Sequence, residues 1–215
     1  MNTPIAFCLL SLTALLLSAC NNHELVEEYS EHGVLLERYY ISPKDSLRQG
    51  DYELFDSDGH RIETAHYEDG QLEGMRTIYY ANGNVQAMDT HVDGSFNGPA
   101  KRYYPDGTLK VSGQYVNGEA SGQWEGYHPT GELKERVTFA GNEENGPFTE
   151  YHTNGNLAAE GTYLNGDKEQ GELRLYDENG ELLRLMHCEA GICRTVEDYR
   201  PADERNPQQA PLQDE

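Results

Sequence analysis

Glycine recurs along this chain with a fixed period, and that period leaves few folds open. Taking Gly50, Gly74, Gly98, Gly122, Gly146 and Gly171 as leaders, the spacings are 24, 24, 24, 24 and 25 residues. Nine positions after each leader stands a second glycine: Gly59, Gly83, Gly107, Gly131, Gly155 and Gly180. Twenty positions after it stand Gly70, Gly94, Gly118, Asn142, Gly166 and Gly191. The one exception is asparagine, which tolerates a left-handed backbone best after glycine. Turns, not composition, therefore explain the pattern. Self-similarity at such a period is the signature of a repeat architecture.

The residues between the glycines say what is repeated. Five positions after the leaders come Phe55, Tyr79, Tyr103, Tyr127, Tyr151 and Tyr176. Offset eleven holds Val85, Leu109, Leu133, Leu157 and Leu182, with Arg61 in the first of these units. Offset seventeen holds Tyr67, His91, Tyr115, Phe139, Tyr163 and Cys188. Offsets eleven, thirteen, fifteen and seventeen share one face of an extended strand. In one unit they are Leu109, Val111, Gly113 and Tyr115, while Lys110, Ser112 and Gln114 face away. That alternation predicts half-buried strands, and the Asn-Gly and Asp-Gly pairs predict hairpin turns. A degenerate unit with Tyr29, Gly33 and Leu35 in register precedes the rest. The expectation is an all-β, elongated antiparallel β-meander of about seven two-stranded 24-residue repeats over residues 24–198, with up to fourteen strands. No unit buries its apolar row alone, so stacking in series has to supply the core.

The grammar Tyr-x-x-x-Gly-x-Leu followed by Tyr-x-x-Gly-x-x-x-Gly resembles the variant MORN repeat. It is most similar to the MORN-variant proteins labelled YwqK-family antitoxins. The resemblance implies a repeat scaffold and, as a functional expectation, a protein that neutralises a toxin. A shared scaffold does not by itself carry a function.

The first twenty residues, MNTPIAFCLLSLTALLLSAC, read as an address. The apolar centre from Ile5 to Leu17 is too short for a permanent span and suits a secretory leader. Its end, Leu17-Ser18-Ala19-Cys20, resembles a bacterial lipobox, which implies lipidation of Cys20 (a palmitate-type acyl anchor) and a mature chain starting there. No Lys or Arg precedes the apolar run, a departure from that pattern, and an ordinary cleaved leader is the alternative. Residues 21–23 would be a short linker. Asn21 after the cysteine, by resemblance to Gram-negative lipoproteins, implies the outer membrane, with the array facing the periplasm or the surface. Residues 199–215, rich in Pro and Gln and without an apolar period, read as a disordered acidic tail.

Cys188 and Cys193 flank a four-residue turn in the last unit. In an oxidising compartment they read as a disulfide closing the final hairpin. Among the histidines, His128 and His152 share offset six with Tyr80 and Tyr104. Equivalent positions lie two strands, about 10 Å, apart, which excludes chelation of one ion by the pair. Tyr80, Tyr104, His128 and His152 therefore form either a recognition face or a cross-strand packing ladder. Asp56-Ser-Asp-Gly lacks EF-hand spacing. No metal site, cofactor or catalytic constellation is expected, and no isolated pair of carboxylates of the kind acid–base chemistry needs.

The formal charge of −22 bounds the partners. Nucleic acid and anionic lipid want a basic surface, so the expected partners are a protein of the envelope, with a basic toxin as the sharper form, and the membrane through the lipid anchor only. The tail accounts for −2, so the folded array carries −20. The alternative is a structural envelope component without a tight ligand.

Overall fold

A computed structural model describes residues 23–202 and 205. The expected leader (1–20) with Cys20, its expected lipidation site, most of the expected linker and most of the tail lie outside the described residues. The first hairpin is β1 (Glu24–Tyr29) and β2 (Leu35–Ile41), and the second is β3 (Arg48–Phe55) and β4 (Arg61–Glu68). The third has β5 (Gln71–Leu72) and β6 (Gly74–Tyr79) on one arm and β7 (Val85–Val92) on the other. Then come β8 (Ser95–Tyr103) with β9 (Leu109–Val116), and β10 (Glu119–Tyr127) with β11 (Leu133–Ala140). The series ends with β12 (Glu143–Tyr151), β13 (Leu157–Tyr163), β14 (Gly171–Tyr176), β15 (Leu182–Glu189) and β16 (Ile192–Asp198). All belong to one antiparallel sheet in chain order, with β5 paired to β4 beside the main path. The described residues contain no helix. β16 adds a closing strand to the fourteen expected, and β5 is the start of the β6 arm.

Two turn types alternate, one for each of two glycine rows. At offset nine, Gly83 N–H donates to Tyr80 O (2.9 Å) and Tyr80 N–H to Asn84 O (2.8 Å), with Gly83 at φ +85°. The same pair of bonds recurs at Tyr104, His128 and His152. This is a three-residue loop whose glycine takes the left-handed position. At offset twenty both central residues have positive φ, as in Asn117 (52°) and Gly118 (86°), the type I′ requirement. Asn142 fits because the order is reversed there: Gly141 is at 64° and Asn142 at 68°. Ala190 takes the same conformation at φ 51° with nothing in its side chain to favour it.

The leader glycines do something else. They lie within or at the start of strands, also at positive φ, and open a bulge. Ser121 faces Gln114 and Glu125 faces Ser112, so four residues of β10 advance against two of β9. Bulges bend a strand and increase its twist. Repeated in each unit, they curl a sheet that has no second layer and let one face bury itself.

That face carries the core. Tyr52, Ala65, Ala87, Ala100, Phe148, Ala159, Leu173 and Cys188 are buried on it, with Asp89 and His91. Thr77 is the exception, on the opposite side. Aromatic rings run along it in series: His91–Phe96, Phe96–Tyr115, Tyr115–Trp124 and Trp124–Phe139 have centroids 4.5, 5.0, 5.2 and 5.8 Å apart. Offset seventeen supplies its part as expected. The partner row at offset two, with Tyr52, Trp124, Phe148 and Leu173, is the one that periodicity did not single out, because Arg76 and Ala100 interrupt it. Gly113 is not a weak apolar position but a space: a Cβ there would lie 2.1 Å from the Trp124 ring. The alternation expected from offset eleven begins only at thirteen. Val85 faces Tyr79 but Ala87 faces Ile78, so a bulge shifts the register between them.

Cys188 and Cys193 face each other across β15 and β16 with Cα atoms 4.0 Å apart and are disulfide-bonded. The fully buried Cys188 packs with Phe148, Ala159 and Leu173. Replacing Ala190 with Asn should raise stability by about 0.5–1 kcal/mol, because the turn favours a residue that accepts positive φ. Asn117→Ala should lower it by a similar amount; urea unfolding measures both.

Candidate functional site

The offset-six row stands immediately before each three-residue loop, half-buried. Tyr80 Oη donates to Tyr103 O (2.7 Å) and Tyr104 Oη to Tyr127 O (2.9 Å). His152 Nε2 is 3.1 Å from Tyr176 O and His128 Nε2 3.5 Å from Tyr151 O. Each side chain therefore crosses to the carbonyl at the corresponding point of the next repeat. Asn82 and Asn84 do the same to Pro105 O, both at 2.8 Å, and Asn154 and Asn156 to Glu178 O at 2.6 and 2.7 Å. The structure brings the four residues into one row, and their polar atoms are engaged inside the array.

The face away from the aromatic series carries the offset-five tyrosines. Tyr79 Oη lies 3.3 Å from Thr64 Oγ1, while Tyr127 Oη donates to Glu125 (2.6 Å) and Tyr176 Oη to Glu160 (2.7 Å). Their partners occupy strand positions that alternate with the buried ones. Both faces of the sheet are thus aromatic, one closed and one half-exposed.

Ion pairs absorb most of the arginines. Arg76 makes a two-pronged contact with Glu63 at 2.8 and 2.6 Å, and Arg102 meets the buried Asp89 at 2.6 Å. Arg38, Arg48, Arg61, Arg136, Arg174 and Arg200 also pair with carboxylates. The excess of acid is left over elsewhere. Glu135 and Glu150 face each other directly across β11 and β12. Burial, with Asp167 and Glu135 nearby, raises the Glu144 carboxyl above its ordinary range. Burial together with Glu150 and Glu144 pushes the Tyr163 hydroxyl up to about 12.

Near these groups lies a cavity of about 160 Å3 on the closed face, walled by Val111, Trp124, Val137 and Phe139, with Glu135 and Glu144 beside it. Sequence reasoning missed it. The signals were present: Trp124 is the chain's one tryptophan, and Gly126 stands where other units carry larger side chains.

One acidic turn gathers potential ligands. Asp56, Asp58 and His60 lie with their ligand atoms within 4.8 Å of one another. The Asp56 carboxylate there accepts from Asp58 N–H (2.9 Å) and His60 N–H (2.8 Å), and Asp177 makes the same turn with Asn179 and Glu181. Turn geometry accounts for this cluster.

Residues 72–93, 96–117, 120–140 and 144–165 match the family model described as the MORN repeat variant. The matched stretches are consecutive, each embraces one hairpin with its three-residue loop, and their boundaries fall at the type I′ turns. A search of the curated proteins finds no match. The matched portion is a repeat scaffold.

Two substitutions check this account. Tyr104→Phe removes one cross-repeat hydrogen bond and should cost about 1 kcal/mol in urea unfolding. His91 is the second. Burial lowers its pKa below the ordinary 6.5, partly offset by Asp89. The stability that this shift contributes is complete above 6.5 and is lost as pH falls through the lower folded value. The urea midpoint should therefore fall between pH 7.5 and 5.5. His91→Phe, the residue type of Phe139 at the same offset, should flatten that dependence.

Proposed function

We propose that the array is a non-catalytic, protein-binding scaffold of the cell envelope, tethered through lipidated Cys20, whose partner is a basic protein. In its sharper form it is an antitoxin or immunity protein that masks a toxin. The observation that carries this reading is the imbalance left after internal pairing. The arginines are largely consumed in ion pairs, while the array keeps a net −20 on a regular, aromatic-faced sheet. Repeat sheets offer extended binding surfaces, and uncompensated acid steers a basic partner onto them. The leader and its Leu-Ser-Ala-Cys end support the envelope location, and the resemblance to YwqK-family antitoxins supports the toxin-directed form.

A second reading is a structural envelope component without a tight ligand. It draws on the offset-six row, whose Tyr80, Tyr104, His128 and His152 polar atoms are turned inward to the neighbouring repeat.

Cell fractionation tests the tether: the wild-type chain should sediment with membranes, and Cys20→Ala should move it to the soluble fraction. Affinity capture from envelope extract, followed by protection of a deletion strain on re-expression, tests the toxin-directed form. A deletion strain with an envelope defect and no toxin sensitivity would favour the structural reading instead.

A further inference from the structure

The repeat is broken at one place in a concerted way. Offset two carries Trp124, and offset four carries Gly126 where the neighbouring units have Arg102 and Glu150. Offset thirteen carries Glu135, which lies opposite Gly126 in register; Glu63 at the same offset in an earlier unit faces Leu54 and is held by Arg76. A Cβ on Gly126 would come 2.5 Å from Glu135 Oε1. The missing side chain is what lets the Glu135 carboxylate lie across β10. Gly126 is not at positive φ, so the space is its only structural use. Offset twenty-two changes as well. Phe96 and Ala120 face aromatic residues there in the earlier units, and Glu144 takes that place opposite Phe139.

The result is the groove of about 160 Å3 with an indole, two valines and a phenyl ring for walls and the carboxylates of Glu135 and Glu144 beside them. These carboxylates are poorly compensated. The exposed Lys134 ammonium lies 3.5 Å from Glu135, and directly across the strand pair stands another carboxylate, Glu150. Like charges facing each other on one sheet face destabilise it. An apolar groove gains nothing from such a rim unless the occupant is cationic. A tryptophan wall suits a cation too, because indole is the strongest aromatic partner for one.

We propose that this groove receives a Lys or Arg side chain of the protein partner. The alkyl stem would lie against Val111, Val137 and Phe139, the charged head against Trp124 and between Glu135 and Glu144. The proposal rests on the scaffold reading above and names the point on the array where a basic partner is gripped. The same residues hold the apo array back from its stability optimum, since Glu135 and Glu150 repel until a cation arrives.

A single tryptophan makes the test direct. The purified chain is titrated with a blocked tetra-arginine peptide, reading Trp124 fluorescence and, independently, heat of binding. Wild type should show a saturable change in both. Glu135→Gln with Glu144→Gln should weaken binding at least tenfold while raising the urea midpoint. Glu28→Gln with Glu31→Gln, an equal loss of charge on distant exposed residues, should leave affinity within twofold. The joint result, weaker binding with higher stability, separates a binding role from a structural one. Equal weakening by both pairs would show diffuse charge attraction and overturn the groove. So would an unsaturable fluorescence response. Either failure leaves the envelope-scaffold reading intact, because capture and protection of the deletion strain are read with the natural partner and not with the peptide.

Discussion

The structure depends on hydrogen bonds that turns make to the neighbouring repeat. At the type I′ edge, Gly94 N–H donates to Leu72 O (2.9 Å), Gly118 to Phe96 O (2.7 Å), Gly166 to Glu144 O (3.1 Å) and Gly191 to Glu169 O (3.0 Å). Even Asn142 keeps the bond, to Ala120 O at 3.3 Å. At the other edge the offset-six side chains and the asparagines cross in the opposite direction, to carbonyls further along the chain. Strand ladders alone would leave turn N–H groups and terminal carbonyls to water. Here each repeat satisfies its neighbour, and the period is locked because the bond reaches one repeat and no further. A unit of different length would miss its acceptor. The one-residue extension, between Gly146 and Gly171, is taken up in the loop around Asn165–Lys168, where Leu164 N–H closes onto Lys168 O.

This edge stitching also answers how one layer of sheet can have a core. A flat sheet of this kind would expose both faces. The leader-glycine bulges add two residues to one strand of each pair and bend it, so that successive rings along offsets two and seventeen meet. Tyr115, Trp124 and Phe139 pack edge to face, and Phe148 stacks on Tyr163 with centroids 4.1 Å apart. Aromatic rings are the residues that can span the separation between alternate strands, which is why the chain is rich in tyrosine and comparatively poor in aliphatic residues. Near the sixth leader the aromatic series gives way to Leu173 and the Cys188–Cys193 bridge, and a covalent contact takes over where rings run out.

Much of this was legible because turns obey local chemistry. Gly83 and Gly118 announce their bends whatever surrounds them, and a period of 24 gives two strands to each unit, leaving only the closing β16 and the short β5 unannounced. What was not legible depends on residues meeting across strands. The row at offset two mixes Tyr52, Arg76, Ala100, Trp124, Phe148 and Leu173, so no hydrophobic average singles it out. Arg76 is explained only by Glu63 on the neighbouring strand and Asp89 opposite. The register shift that separates Val85 from Ala87 has no residue of its own to mark it. The inward commitment of Tyr80 and His152 likewise requires knowing that the next carbonyl lies within reach.

A repeat is informative about function where it stops repeating for a reason the scaffold does not need. Asparagine at residue 142, with the glycine moved to residue 141, keeps both positive φ angles of the turn, and the same cross-repeat bond survives. Placing glycine at residue 126 is different, since no backbone angle requires it and the alternating pattern is better served by a larger side chain. Its effect is to admit a carboxylate onto a face that elsewhere pairs each buried acid with arginine, as Asp89 is paired with Arg102. Glu144 enters the same face at the point where Phe96 and Ala120 extend the aromatic core. Two such departures converging on the chain's one indole oppose the scaffold's own packing rule. Glu63 stands at the same offset as Glu135 but is held by Arg76; acids admitted on adjacent strands without an arginine to hold them point outward, to something the scaffold alone does not contain.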